Sequence, residues 1–141
     1  LASQEQRRIQ SGLPDTIEEA IARATMFTAS SLKIRAIAAL TQSGRTVLLM
    51  SRRNSNVPIF ALSPQEDTRR KMTLFRGVYP MKFGGGSNDP ETILDLAENE
   101  LLKRGAVRNG DLIIMTIGEP VGKAGGTNTM KIVKVGEHRK A

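Results

Sequence analysis

AIAALTQSGRTVLLM, residues Ala36–Met50, joins two apolar runs through a short polar turn. The first run, Ala36–Leu40, reads as a buried strand. The turn is Thr41-Gln42-Ser43-Gly44, and the run that begins at Arg45-Thr46 reads as a helix. A strand that turns sharply into a helix leaves the first backbone N–H groups of that helix unpaired. Together with the macrodipole, such an end suits a phosphate or another anion. Thr41, Ser43 and Thr46 can donate to it, and Arg45 adds a planar charged fork. The same hydroxyls can instead simply cap the helix.

A chain of 141 residues is about one domain, long enough to bury a core. Cysteine is absent, so disulfides and thiolate metal sites are excluded. No run approaches about 18 consecutive apolar residues, so no membrane partner is expected. LASQEQRRIQSG at the start lacks a signal-peptide core, and the expected compartment is the cytoplasm. The net charge of +7 and pI near 10.3 raise nucleic acid as a partner. The basic residues come in scattered pairs, however, and aromatics make up only 4%, which leaves little for base stacking. Solvated helix faces and ends explain these charges, and no nucleic acid is expected.

Taken in order, Leu13-Pro14-Asp15-Thr16 is a helix start, with Thr16–Glu19 or Asp15–Glu18 at capping-box spacing. Ile17, Ala20, Ile21, Ala24, Phe27, Thr28 and Ser31 then form a stripe expected to be buried, in a helix running to about Leu32. After the helix Arg45–Arg53, PIFAL (Pro58–Leu62) is a short strand. Ser63-Pro64-Gln65-Glu66 is a second capping box with Pro64 as the first helical residue, and that helix points Met72 inward, with Leu74 as a second candidate. VYPMKF (Val78–Phe83) is a strand that Pro80 confines to an edge or a strand end. A helix from Asp89-Pro90 buries Ile93, Leu94, Ala97 and Leu101, pairs Glu100 with Arg104, and stops at Gly105. DLIIMTI (Asp111–Ile117) is the most hydrophobic strand and is expected to be central, followed by the glycine-rich loop Gly118–Asn128. The last strand, Thr129–Val135, carries Lys131 and Lys134 suited to an edge.

Strands alternating with helices predict an α/β three-layer sandwich: a five-stranded, mostly parallel sheet with helices on both faces. The last connection is too short for a crossover, so the last strand is expected antiparallel. Both candidate anion loops, Thr41–Thr46 and Gly118–Asn128, then leave the same sheet end, where ligands of such folds bind. Neither glycine loop is a nucleotide fingerprint. In Gly84-Gly85-Gly86 the third glycine of the dinucleotide motif falls on Asp89, and Gly118–Asn128 misses P-loop spacing and has Ala124 where Ser or Thr is needed.

No catalytic constellation can be assembled. His138 is the lone histidine and sits in the charged tail, and the carboxylates lie at helix starts or on helix faces. No catalytic residue, metal site or cofactor is expected in this chain.

TQSGRT, the PIFAL strand with the helix ending in RGVYPM, and GDLIIMTIGEPVGKAGGTNTMKIVKVG together resemble the C-terminal domain of pyruvate kinase. The resemblance runs from about Asp15 to Gly136. It implies residues 13–136 as the C-terminal α/β domain, 1–12 as a remnant of the connection from a catalytic barrel, and 137–141 as a basic tail. It further implies a regulatory and assembly role rather than catalysis. In the family, phosphoenolpyruvate and ADP react in a (β/α)₈ barrel with Mg and K, and none of that barrel's motifs is present here. The chain on its own is therefore expected to be inactive, and to pair with the barrel and with copies of itself in a tetramer.

Carried over by residue, the effector phosphate is expected on Thr41, Gln42, Ser43, Gly44, Arg45 and Thr46. The effector loop is expected to use Gly118, Glu119, Gly122, Lys123, Gly125 and Gly126. Fructose-1,6-bisphosphate-regulated members carry an arginine where this chain has Ile93, and Trp-Arg where it has Glu119-Pro120. A carboxylate beside a bisphosphate is repulsive. The expected effector is accordingly a sugar monophosphate or AMP, with Lys123 as a loop cation. The alternative is a free-standing phospholigand-binding module that regulates another partner.

Overall fold

The computed structural model describes residues 14, 16–53, 55–84, 87–119, 121 and 126–137. Its elements are α1 (Ile17–Ser31), β1 (Ile34–Leu40), α2 (Arg45–Ser51), β2 (Ile59–Ser63), α3 (Glu66–Met72), β3 (Val78–Lys82), α4 (Pro90–Lys103), β4 (Leu112–Gly118) and β5 (Thr127–Lys134). The strands form one sheet in the order β3-β2-β1-β4-β5. β1 to β4 run parallel, and β5 returns antiparallel along β4. β1 and not the more hydrophobic β4 is the central strand, because the antiparallel β5 closes the sheet directly beyond β4. Ile37 stands at the centre, beside Ile59 on one neighbour and Ile114 on the other.

β1 reads as an almost unbroken apolar run because both of its faces are covered, as parallel strands require. Under α4, Leu94, Ala97 and Leu101 pack on Ala36, Ala38, Ile113 and Met115. On the opposite face, Ala22 and Met26 of α1, Val47 and Met50 of α2 and Met72 of α3 pack on Ile37, Ala39 and Ile114. Truncation of a side chain as central as Ile114 to Ala costs about 2–5 kcal/mol. Pro80 lies on β3 and Lys131 and Lys134 on β5, the two edges of the sheet. An edge strand tolerates a missing N–H and uses lysine to discourage further pairing.

Three further expectations fail. In α1 the buried residues are Glu18, Ala22, Thr25, Met26 and Ala29, whereas Ile17 is 67% and Phe27 73% exposed. The helix carries two apolar rows, and the sheet takes the smaller one, which lets α1 approach closely; periodicity alone does not choose between two rows. α3 begins at Glu66 rather than Pro64, because Ser63 is still the last residue of β2 and its hydroxyl accepts from Gln65 N–H at 3.2 Å. Leu74 lies just past α3 and is 87% exposed; of the two, it is Met72 that turns inward.

Elsewhere the local chemistry is as expected. Thr16 caps α1, its hydroxyl accepting from Glu19 N–H at 3.1 Å. Asp89 caps α4, accepting from Thr92 N–H at 3.0 Å. Arg104 pairs with Glu100, as expected, and Arg23 and Arg70, for which no pair was foreseen, likewise bind the glutamate four residues before them. Helix pairs at this spacing contribute about 0.3–0.5 kcal/mol each.

Candidate functional site

Strand order reverses between β1 and β4: from β1 the chain winds outward through β2 and β3, then crosses back beneath α4 to β4. At such a switch the loops leaving the two strands turn away from each other and open a crevice. A cavity of about 530 Å³ lies there. Small-molecule sites span about 300–1,000 Å³, so its size suits a small-molecule ligand.

Thr41, Gln42 and Ser43 line the cavity from the β1 side, and Gly118, Val121 and Gly126 from the β4 side. Leu62, Phe83, Ile93, Leu96 and Ile117 give it an apolar wall, to which Ser87 and Asn88 add polar groups ahead of α4. Ile93 of α4 therefore faces the cavity as a hydrocarbon.

The turn after β1 is tightly tied. Thr41 Oγ1 accepts from Gly44 N–H at 2.8 Å, and Ser43 Oγ accepts from Arg45 N–H at 3.3 Å. Both hydroxyls keep their own protons to donate. Gln42 O accepts from the Thr68 hydroxyl at 2.7 Å, which fastens the turn to α3. Gly44 has φ 80° and lies over Met72, whose Cγ would be 3.1 Å from an added Cβ. A left-handed residue this close to a neighbour must be glycine.

Of the six expected phosphate residues, Thr41, Gln42 and Ser43 line the cavity, while Gly44, Arg45 and Thr46 do not. The Arg45 side chain is exposed and Thr46 is buried. Both converge on Glu18: Thr46 Oγ1 donates to Glu18 Oε2 at 3.4 Å, and Arg45 Nε lies 3.7 Å from Oε1. Glu18 itself lines the cavity and was not among the expected site residues. Sequence spacing offered it only as a capping partner of Asp15, and its approach to Thr46, 28 positions away, is a product of tertiary packing.

On the other side, Gly118 and Gly126 line the cavity. Glu119 is exposed, its carboxylate accepting from Thr129 Oγ1 at 3.5 Å, and it is not part of the wall. Asn128 clamps the loop base, accepting from Glu119 N–H at 3.0 Å and donating to Glu119 O at 2.8 Å. Gly122, Lys123 and Gly125 lie outside the described residues, as do Leu1–Gly12, Asp15 and the tail from His138.

No group of three or more His, Cys, Asp or Glu among the described residues comes together in a way that could hold a metal ion. No helix among them is long and apolar enough to cross a membrane.

Residues 19–133 match the family model described as pyruvate kinase, alpha/beta domain. The chain belongs to this family. It is 45% identical over 126 residues to a pyruvate kinase of Buchnera aphidicola subsp. Acyrthosiphon pisum, covering 86% of this chain and 25% of that protein. It is 42% identical over 122 residues to pyruvate kinase II of Salmonella typhimurium, covering 86% of this chain and 25% of the relative. It is 36% identical over 117 residues to a pyruvate kinase of Geobacillus stearothermophilus, covering 83% and 20%. The chain thus spans about a quarter of the length of the first two relatives and a fifth of the third. The strand–turn–helix at Thr41–Thr46, the edge strand with Pro80 and the loop Gly118–Gly126 are accordingly features of a pyruvate kinase alpha/beta domain.

Proposed function

We propose that this chain is the regulatory and assembly domain of a bacterial pyruvate kinase, and that it binds a sugar monophosphate or AMP as effector. Transfer of the phosphoryl group of phosphoenolpyruvate to ADP, with its Mg and K, then belongs to a catalytic barrel outside these residues. The observation that carries this reading is the cavity at the β1–β4 switch, lined by Thr41, Gln42 and Ser43 and by Gly118, Val121 and Gly126.

Regulation follows from which elements the cavity shares with the outer surface. α1 gives Glu18 to the cavity and turns Ile17 and Phe27 outward; β5 gives Thr127 to the cavity and exposes Ile132. α1 packs against β5, and β5 is a free sheet edge. A second copy seated on this surface would feel any shift of α1 or β5 that a ligand causes. A ligand that binds one arrangement better biases the assembly, and through it a distant active site.

The test is calorimetric titration of the chain with ribose 5-phosphate, glucose 6-phosphate, AMP and fructose 1,6-bisphosphate, with Arg45→Ala as control. Saturable binding of a monophosphate, lost in the variant, is expected. Failure of all four ligands to bind would sink the effector reading and leave assembly as the role of the domain.

A further inference from the structure

One side chain of the cavity wall does not suit a bare anion site. Among the described lining residues Glu18 is the only ionisable one, and it is 7% exposed. Its contacts to Thr46 and Arg45, at 3.4 and 3.7 Å, are long. Charge-assisted hydrogen bonds usually measure about 2.7–2.9 Å. An ionised carboxylate offers about four lone-pair sites, so among the described residues most of its accepting capacity is uncommitted.

Resting on the phospholigand reading of this cavity, we infer that Glu18 is its specificity-determining residue. It admits a ligand with one phosphoryl group and a neutral body rich in O–H or N–H donors, and it rejects a ligand with a second phosphoryl group. A first phosphoryl group at Thr41–Ser43 has Arg45 within the same turn to neutralise it. As Arg45 moves towards the phosphate, Glu18 is released to accept from hydroxyls or amines of the ligand body. The opposite wall, with Phe83, Ile93 and Leu96, packs on the apolar faces of that body. A second phosphoryl group in the same cavity meets the buried Glu18 carboxylate, and no cation among the described lining residues offsets it. Out of bulk water such repulsion is poorly screened, and misplaced like charges are a strong filter against wrong ligands.

Titration of the full chain with glucose 6-phosphate and glucose 1,6-bisphosphate isolates the effect, because the two differ by one phosphoryl group. The wild type is expected to favour the monophosphate by about tenfold or more. Glu18→Gln keeps the size and the acceptor for Thr46 but removes the charge, and should narrow that preference about tenfold through tighter bisphosphate binding. Glu18→Ala is the second variant, and melting curves identify which of the two is folded. Binding of both ligands with the preference unchanged in the folded variant, or a wild type that favours the bisphosphate, would overturn the role of Glu18 and leave the phospholigand site standing. If neither ligand, nor ribose 5-phosphate or AMP, binds wild type or variants, the reading of the cavity falls and this inference with it.

Discussion

Gly118 at the end of β4 and Gly126 just before β5 approach so closely that a Cβ on Gly118 would sit 2.5 Å from the Gly126 carbonyl oxygen. The obstacle is backbone, which cannot rotate aside. Both glycines also line the cavity. Gly118→Ala must therefore push the two strands apart where the loop springs from the sheet. The expected loss is about 1–3 kcal/mol, the usual range for overpacking, with weaker binding of the monophosphate that the wild type takes. Urea unfolding and calorimetric titration measure the two effects separately. Unchanged values in both would show that the loop base yields without strain.

A second pairing holds the far end of the sheet. Glu98 of α4 is 1% exposed, and its Oε2 accepts from Gly136 N–H at 3.0 Å, which ties α4 to the turn after β5. A hydrogen bond to a charged group contributes about 1.5–3 kcal/mol. Glu98→Ala is expected to cost that much or more, since it also leaves a gap, and Glu98→Gln, which keeps an acceptor, clearly less. Chemical denaturation of the two variants checks the order. Equal losses would mean that shape rather than the carboxylate matters at this position.

The strands and the antiparallel return of β5 were largely legible because the strands here are short apolar runs bounded by clear punctuation, whereas hydrophobicity alone pointed to β4 and not β1 as the central strand. Pro80 and the two lysines of β5 marked the edges correctly, and Asp89-Pro90 marked the start of α4. The face of α1 was not legible, since Ile17-Phe27 and Ala22-Met26-Ala29 are both apolar rows and the choice depends on how closely the sheet must be approached. The cavity followed from topology, because two loops leaving the same sheet end have to meet. Glu18 did not follow from anything local. It enters the wall only when α1 packs on α2, and a glutamate in a first helical turn looks like any other dipole partner.

The Asp89 cap gives a pH test. Its carboxyl is held below its usual 3.8, first by the Thr92 hydroxyl and then by the Thr92 backbone N–H. A folded value below the unfolded one means the cap contributes fully above pH 3.8 and is lost as pH falls through the lowered value. Asp89→Ala should therefore melt below wild type at neutral pH, and the gap should close in strong acid. Melting temperatures of the two proteins across acid pH decide this. A gap that persists at the acid extreme would assign the cap to shape and not to charge.

The exposed row of α1 makes a prediction about assembly. Phe27 is 73% and Ile17 67% exposed, on a helix packed against the free edge strand β5. Large apolar side chains left in water on adjoining elements are typical of a surface that another protein covers. If that protein is a second copy, the same patch serves both partners about a two-fold axis, and a charge placed there meets its own equivalent across the interface. Phe27→Glu is expected to lower the oligomeric state without lowering monomer stability, because the side chain contributes little to the core of its own domain. Light scattering across a concentration series, alongside urea unfolding, tests both halves of the statement. A variant that assembles as the wild type does would place the interface elsewhere, whereas one that unfolds more readily would show that Phe27 supports α1 itself.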